Sequence, residues 1–135
     1  MSQSKIIEFK VVDLSKKGNG IGFLGVYRIE VPFSLPQDFI KAEVWKRRKK
    51  GVGILREILE PSPLRQIPRC IHFGECGGCR FQNLSYQEQL KIKNDGIVSL
   101  FKPLLSESAD IRSIIPCEMI WVWPICVGRL IDLIS

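Results

Sequence analysis

The hydrophobic period changes once along this chain, and the change divides it. Up to about residue 60 the apolar positions fall in short runs rich in Ile, Val, Phe and Trp, cut by Gly, Pro and Asn-Gly. β-Branched and aromatic residues in brief runs bounded by turn residues predict strands. Five are expected, over 5–14, 20–26, 27–31, 39–47 and 51–59, and five short strands in one small region predict a barrel. Asn19-Gly20 marks a hairpin, because both residues tolerate the positive φ of a tight turn between twisted strands. Pro32, Pro36, Pro61, Pro63 and Pro68 fall in connections, where a missing N–H breaks no ladder, and 61–69 reads as a linker.

Beyond residue 80 the period becomes helical. Tyr86, Leu90, Ile97, Leu100 and Phe101 recur at helical spacing. Ser85-x-x-Glu88 is a capping-box pattern, in which the Ser hydroxyl accepts from the third helical amide and the Glu reaches back. A helix is predicted over 85–102, ended by Pro103, with Gly96 inside it costing about 1 kcal/mol relative to Ala. Its apolar stripe is expected to cover the loop before it, since so small a domain has few other surfaces to bury. The sequence shows no internal repeat.

Composition limits what this organisation can do. The 135 residues carry a net charge of +6, enough chain for one ordinary domain or two very small ones, without a full catalytic α/β domain besides. Residues 1–69 hold 14 Lys/Arg against 7 Asp/Glu, a surplus of +7, whereas 70–135 hold 6 against 7. A basic first half suits a polyanionic partner. Met1-Ser-Gln-Ser-Lys5 runs into strand-like sequence with no apolar signal core, so a cytoplasmic location without structural disulfides is expected. The stretch 114–127 is apolar but interrupted by Pro116, Glu118 and Pro124; it falls short of the roughly 20 residues of a membrane span.

The densest chemistry lies in Cys70-Ile-His-Phe-Gly-Glu-Cys76-Gly-Gly-Cys79. Sulfurs gathered around a metal need a backbone that turns sharply and lets amides approach, and Gly77 and Gly78 allow both. A cluster held by Cys70, Cys76 and Cys79 suits this spacing. So does a zinc site that takes His72 as fourth ligand, and ordinary thiols are the bland alternative. Cys117 or Cys126 is a further candidate for a fourth thiolate.

A second candidate is the run Trp45-Lys46-Arg47-Arg48-Lys49-Lys50. Cations neutralise phosphates while an aromatic ring stacks on an unpaired base. The competing reading is a solvated strand end with Trp45 in the core. Lys16 and Lys17, beside the glycine-rich turn, are expected to add to the same face.

Taken together, Gly18-Asn-Gly20-Ile-Gly22, Val31-Pro-Phe-Ser-Leu-Pro36, Glu60-Pro-Ser-Pro-Leu-Arg65, the Cys70-x5-Cys76-Gly-Gly-Cys79 block and Gln82-Asn-Leu-Ser-Tyr86-Gln-Glu-Gln89-Leu90-Lys91 resemble the N-terminal part of the RNA uracil-5-methyltransferases. In that family a TRAM domain, a small OB-like RNA-binding barrel, precedes a cysteine-rich segment holding a [4Fe-4S] cluster and then a Rossmann-like S-adenosylmethionine domain. The resemblance covers roughly residues 5–105. It implies a TRAM-like barrel over 1–60, a linker over 61–69 and a cluster segment with its helix over 70–105, with rRNA or tRNA as partner. Cys70, Cys76 and Cys79 match three of the family's four cluster cysteines, the fourth lying further downstream.

Here the chain also departs from the family. Ile120-Trp-Val-Trp-Pro124 stands where the family has Tyr-Arg-Asn-Lys. The family's nucleophilic cysteine, which attacks uracil C6 so that C5 can take the methyl group, has no match before Ser135, nor do its general-base Glu and glycine-rich cofactor loop. The expectation is therefore the RNA-binding and iron-sulfur portion of such an enzyme, inactive alone, with S-adenosylmethionine bound only in the full-length family. Residues 106–135 are then a divergent tail, truncated or frameshifted. The alternative is a stand-alone RNA-binding module with a three-cysteine, one-histidine zinc site and no catalysis.

Overall fold

The run 5–14 alternates as one strand but serves two partners. In the computed structural model, which describes residues 4–48, 50–106 and 110–118, this run forms β1 (Lys5–Lys10) and β2 (Asp13–Leu14). They are followed by β3 (Gly20–Leu24), β4 (Tyr27–Val31), β5 (Phe39–Arg47) and β6 (Lys50–Glu60). The sheet order is β1-β5-β6-β4-β3-β2, with β4 and β6 parallel and every other pair antiparallel. At the break, the Val11 amide donates to the Asp38 carbonyl at 2.8 Å and extends the β1–β5 ladder. The Val12 amide donates to the Ile21 carbonyl, also at 2.8 Å, and opens the β2–β3 ladder. One stretch of chain thus supplies both edges of the sheet and closes it into the expected small OB-like barrel.

Alternation fills that barrel. Phe9, Val11, Ile29, Val31, Ile40, Ala42 and Val44 form the buried core, with Ile7, Leu55 and Ile58 against it, as the two-residue period of a strand requires. Gly22 also faces inward: a Cβ there would stand 2.2 Å from the Phe9 ring. In the β2–β3 turn the Ser15 amide donates to the Asn19 carbonyl at 2.7 Å. The left-handed residue is Gly18, at φ 77°, instead of Asn19 or Gly20. Gly20 already pairs with Val31 in β3, so the Asn-Gly signal marked the right hairpin and the wrong residue of it.

The motifs around Pro32 and Pro61 meet at one buried carboxylate. Asp38 is fully buried, accepting from the Leu35 amide at 2.7 Å and the Ser62 amide at 2.8 Å. Arg65 donates to it through Nε at 3.0 Å and Nη2 at 2.5 Å, and Nη2 also reaches the Phe33 carbonyl at 2.9 Å. Phe33 and Gln37 have positive φ, 63° and 73°, in the loop this clasp holds. The chain separates into two compact units, Met1–Ile67 and Pro68–Ser135, and the Pro61 segment is tied into the first of them.

The second unit opens with consecutive tight turns. The Phe73 amide donates to the Cys70 carbonyl at 3.2 Å, and the Glu75 and Cys76 amides both donate to the His72 carbonyl, at 3.1 and 3.0 Å. The helix, α1, spans Tyr86–Phe101 with Ser85 as N-cap, whose hydroxyl accepts from the Glu88 amide. A 3-10 turn over Lys102–Leu104 contains Pro103 and ends it. Gln89 Nε2 donates backwards to the Phe81 and Leu84 carbonyls at 2.9 and 3.0 Å, fixing the approach to the helix. The expected burial of the apolar stripe is not met. No residue of α1 is buried, and Ile97, Leu100 and Phe101 are exposed. Ile71 in the loop is 90 % exposed as well, so it and the end of the stripe do not cover one another. Among the described residues no helix is long and apolar enough to cross a membrane. Trp121, Trp123, Cys126 and the rest of the stretch after Glu118 lie outside the described residues, as does Lys49.

Candidate metal centre and nucleic-acid interface

The turns that follow Cys70 decide where the thiols point. Gly74 and Gly77 carry positive φ, 97° and 72°, and a Cβ at either would meet nothing within 4 Å. The left-handed conformation alone therefore favours glycine there. Within the Gly-Gly pair this places the demand on Gly77. Cys70, Cys76 and Cys79, with His72, Gly77 and Gln82, line one depression of about 180 Å³ that opens to solvent. All three expected ligands and the alternative histidine thus face the same space. Cys70 and Cys79 are half-buried and Cys76 is exposed, and none is in a disulfide.

Gln82 closes this arrangement from behind. Its Oε1 accepts from the Cys70 amide at 3.1 Å, and the residue is buried. This tie spans twelve positions, so no local pattern announces it. Three thiols and one imidazole around a single depression form a donor set that suits iron or zinc. Among the described residues, however, no three His, Cys, Asp or Glu groups stand close enough together to hold an ion. The donors line the wall of the depression without converging on a point. Cys117 does not belong to that lining; its amide donates to Tyr86 Oη at 2.7 Å.

The basic run forms the tip of the β5–β6 hairpin. Trp45 pairs with Val52, Lys46 with Gly51 and Arg47 with Lys50, and Arg48 takes the left-handed conformation, φ 52°, that a two-residue turn demands. Val44 and Ala42 point into the core, so Trp45 stands on the opposite face and is half-buried. The reading of Trp45 as a core residue is excluded by this alternation. Lys46, Arg48 and Lys50 are exposed, and none of the four ion pairs among the described residues includes them. Lys46 Nζ lies 4.6 Å from the centroid of the Tyr27 ring, a cation–π distance.

Two neighbours of this tip change the sequence picture. Glu43, on the same outer face, has its carboxyl held below the usual range by the Ser4 hydroxyl and then by Arg56, which it pairs with directly. Lys16 and Lys17 do not join the basic tip. They sit in the turn before β3, whereas the tip lies beside the turn that follows β3, since Arg28 pairs with Lys50. The length of β3 separates the two groups of cations.

No family model matches the chain. It is 45 % identical over 89 residues to an uncharacterized RNA methyltransferase of Protochlamydia amoebophila, covering 65 % of this chain and 20 % of that protein. An uncharacterized RNA methyltransferase of Caldanaerobacter subterraneus is 36 % identical over 103 residues, covering 76 % of this chain and 23 % of the relative. The 23S rRNA (uracil(747)-C(5))-methyltransferase of Pyrococcus furiosus is 40 % identical over 103 residues, covering 75 % and 23 %. The chain spans about a fifth of the length of the curated relatives it matches.

Proposed function

We propose, from its similarity to RNA methyltransferases that include a 23S rRNA uracil-C5 methyltransferase, that the chain acts as the RNA-binding and iron-sulfur portion of such an enzyme. The observation that carries this reading is the lining of one depression by Cys70, Cys76 and Cys79. In the proposal these three thiolates hold a [4Fe-4S] cluster, with Gln82 fixing the first of them through its amide. A bound cluster would supply a covalent staple between turns that bury little apolar surface of their own. The barrel plays the TRAM part: the Trp45–Lys50 hairpin tip takes the phosphates of a cytoplasmic rRNA or tRNA. S-adenosylmethionine and methyl transfer to uracil C5 belong to the remaining length of the relatives.

A second reading rests on His72, which lines the same depression. Three thiolates and one imidazole suffice for tetrahedral zinc, making the chain an RNA-binding module without catalysis. The two are separated by colour, because a cluster absorbs visible light through sulfur-to-iron charge transfer and zinc does not.

The RNA reading is tested by binding to single-stranded RNA across a salt series. With about three phosphates contacted, log affinity falls against log salt with a slope near −2. Binding that ignores salt would reject the hairpin tip as the contact. In parallel, labelled S-adenosylmethionine and uracil-containing RNA are expected to give no methyl transfer with this chain alone; appreciable transfer would refute the division of labour.

A further inference from the structure

The register of the barrel places a second hairpin beside the basic tip. Phe23 in β3 pairs with Arg28 in β4, Arg28 pairs with Lys50 in β6, and Lys50 pairs with Arg47 in β5. These four positions form one row across four strands. Their neighbours Gly22, Ile29 and Gly51 are buried on the inner face, so alternation turns Phe23, Arg28 and Lys50 outward. Phe23 is 56 % exposed, an aromatic ring open to solvent at the end of a row of cations. Arg28 is oriented by Glu30 at 2.9 Å, which also moderates its charge, whereas Lys50 and Arg48 are in no such pair. Adjacent strands lie about 4.8 Å apart, so Phe23 and Lys50 are separated by roughly 10 Å, within the reach of one nucleotide and its flanking phosphate.

We propose that Phe23 is a stacking platform for an unpaired base, with Lys50 and Arg48 on the adjoining phosphates, so that this end of the barrel selects single-stranded RNA. The inference rests on the RNA-binding reading above and deepens it. An aromatic ring accepts any base face and therefore adds affinity without demanding a sequence. A duplex keeps its base faces stacked on one another and offers the ring nothing. Cations alone would hold single and double strands without this distinction.

The experiment measures binding of the full chain to a single-stranded RNA and to a duplex of the same length, across a salt series. The unaltered chain is expected to prefer the single strand. Phe23→Ala is expected to weaken single-strand binding about tenfold with an unchanged salt slope. Phe23→Leu keeps an apolar side chain at this exposed position, guards against misfolding, and is expected to lose as much. Phe23→Trp is expected to bind within about threefold of the unaltered chain, since indole offers a larger stacking face. Arg48→Ala combined with Lys50→Ala is expected to flatten the slope by about 1.4, the share of two phosphates. If the double substitution flattens the slope while Phe23→Ala and Phe23→Leu bind like the unaltered chain, the stacking inference falls and the RNA reading stands. Equal affinity for single strand and duplex also overturns it. No RNA binding by the unaltered chain at any salt would overturn both.

Discussion

Nine of the ten buried apolar side chains among the described residues belong to the barrel unit, and Leu84 alone belongs to the cysteine unit. The barrel closes on itself, fills its interior by alternation and locks its longest loop onto Asp38. The cysteine unit has tight turns, a helix with no buried residue and three thiols around an open depression. Apolar burial stabilises the first by the ordinary route. Among the described residues the second buries little, and small units of that kind are held by disulfides or metals. None of its described cysteines is in a disulfide, so the proposed metal centre would supply a cohesion that packing does not.

The comparison breaks most visibly if a ligand is removed. If the proposed metal centre holds this unit, Cys76→Ser or treatment with a chelator is expected to abolish amide-exchange protection along α1 while the barrel strands stay protected, because metal binding and folding are one equilibrium in such units. Unchanged protection of α1 after chelation would mean that the turns and the helix hold themselves. The converse experiment targets the barrel. Asp38→Ala leaves Arg65 largely buried without its carboxylate and frees two backbone donors; a loss of about 3–5 kcal/mol in urea denaturation of the barrel is expected. A loss below about 1 kcal/mol would show the clasp to be dispensable.

The smallest effect is expected at the surface. Glu43 titrates below the usual carboxylate range, so its pairing contributes stability that is present above the unfolded pKa and lost as pH falls through the lowered folded value. Melting the protein between neutral pH and strong acid should show a slightly steeper acid loss than in Glu43→Gln. Identical profiles would mean that the Ser4 and Arg56 contacts contribute nothing in water.

Much of the barrel was legible because its causes are local. Alternation in 39–47 and the turn residues around Gly18 are read within a few positions, and Ser85 caps the helix where its pattern says it should. What stayed hidden depends on distant pairing. The division of 5–14 between two partners, the Asp38–Arg65 clasp across 27 positions and the Gln82 tie to Cys70 have no local signature. The same holds for the nucleic-acid surface. The run Trp45–Lys50 stood out as a block of charge, but Phe23 and Arg28 join it only through the parallel pairing of β4 with β6. The helix stripe misled for a related reason: periodicity gives a face, and says nothing about whether any surface is there to meet it.

The central claim, that Cys70, Cys76 and Cys79 hold an iron-sulfur centre, is tested most directly by anaerobic purification with iron, sulfide and zinc quantified per chain. About four iron and four sulfide per folded chain are expected, as a [4Fe-4S] cluster requires. Stoichiometric zinc with no iron would contradict the cluster and leave His72 as the fourth ligand.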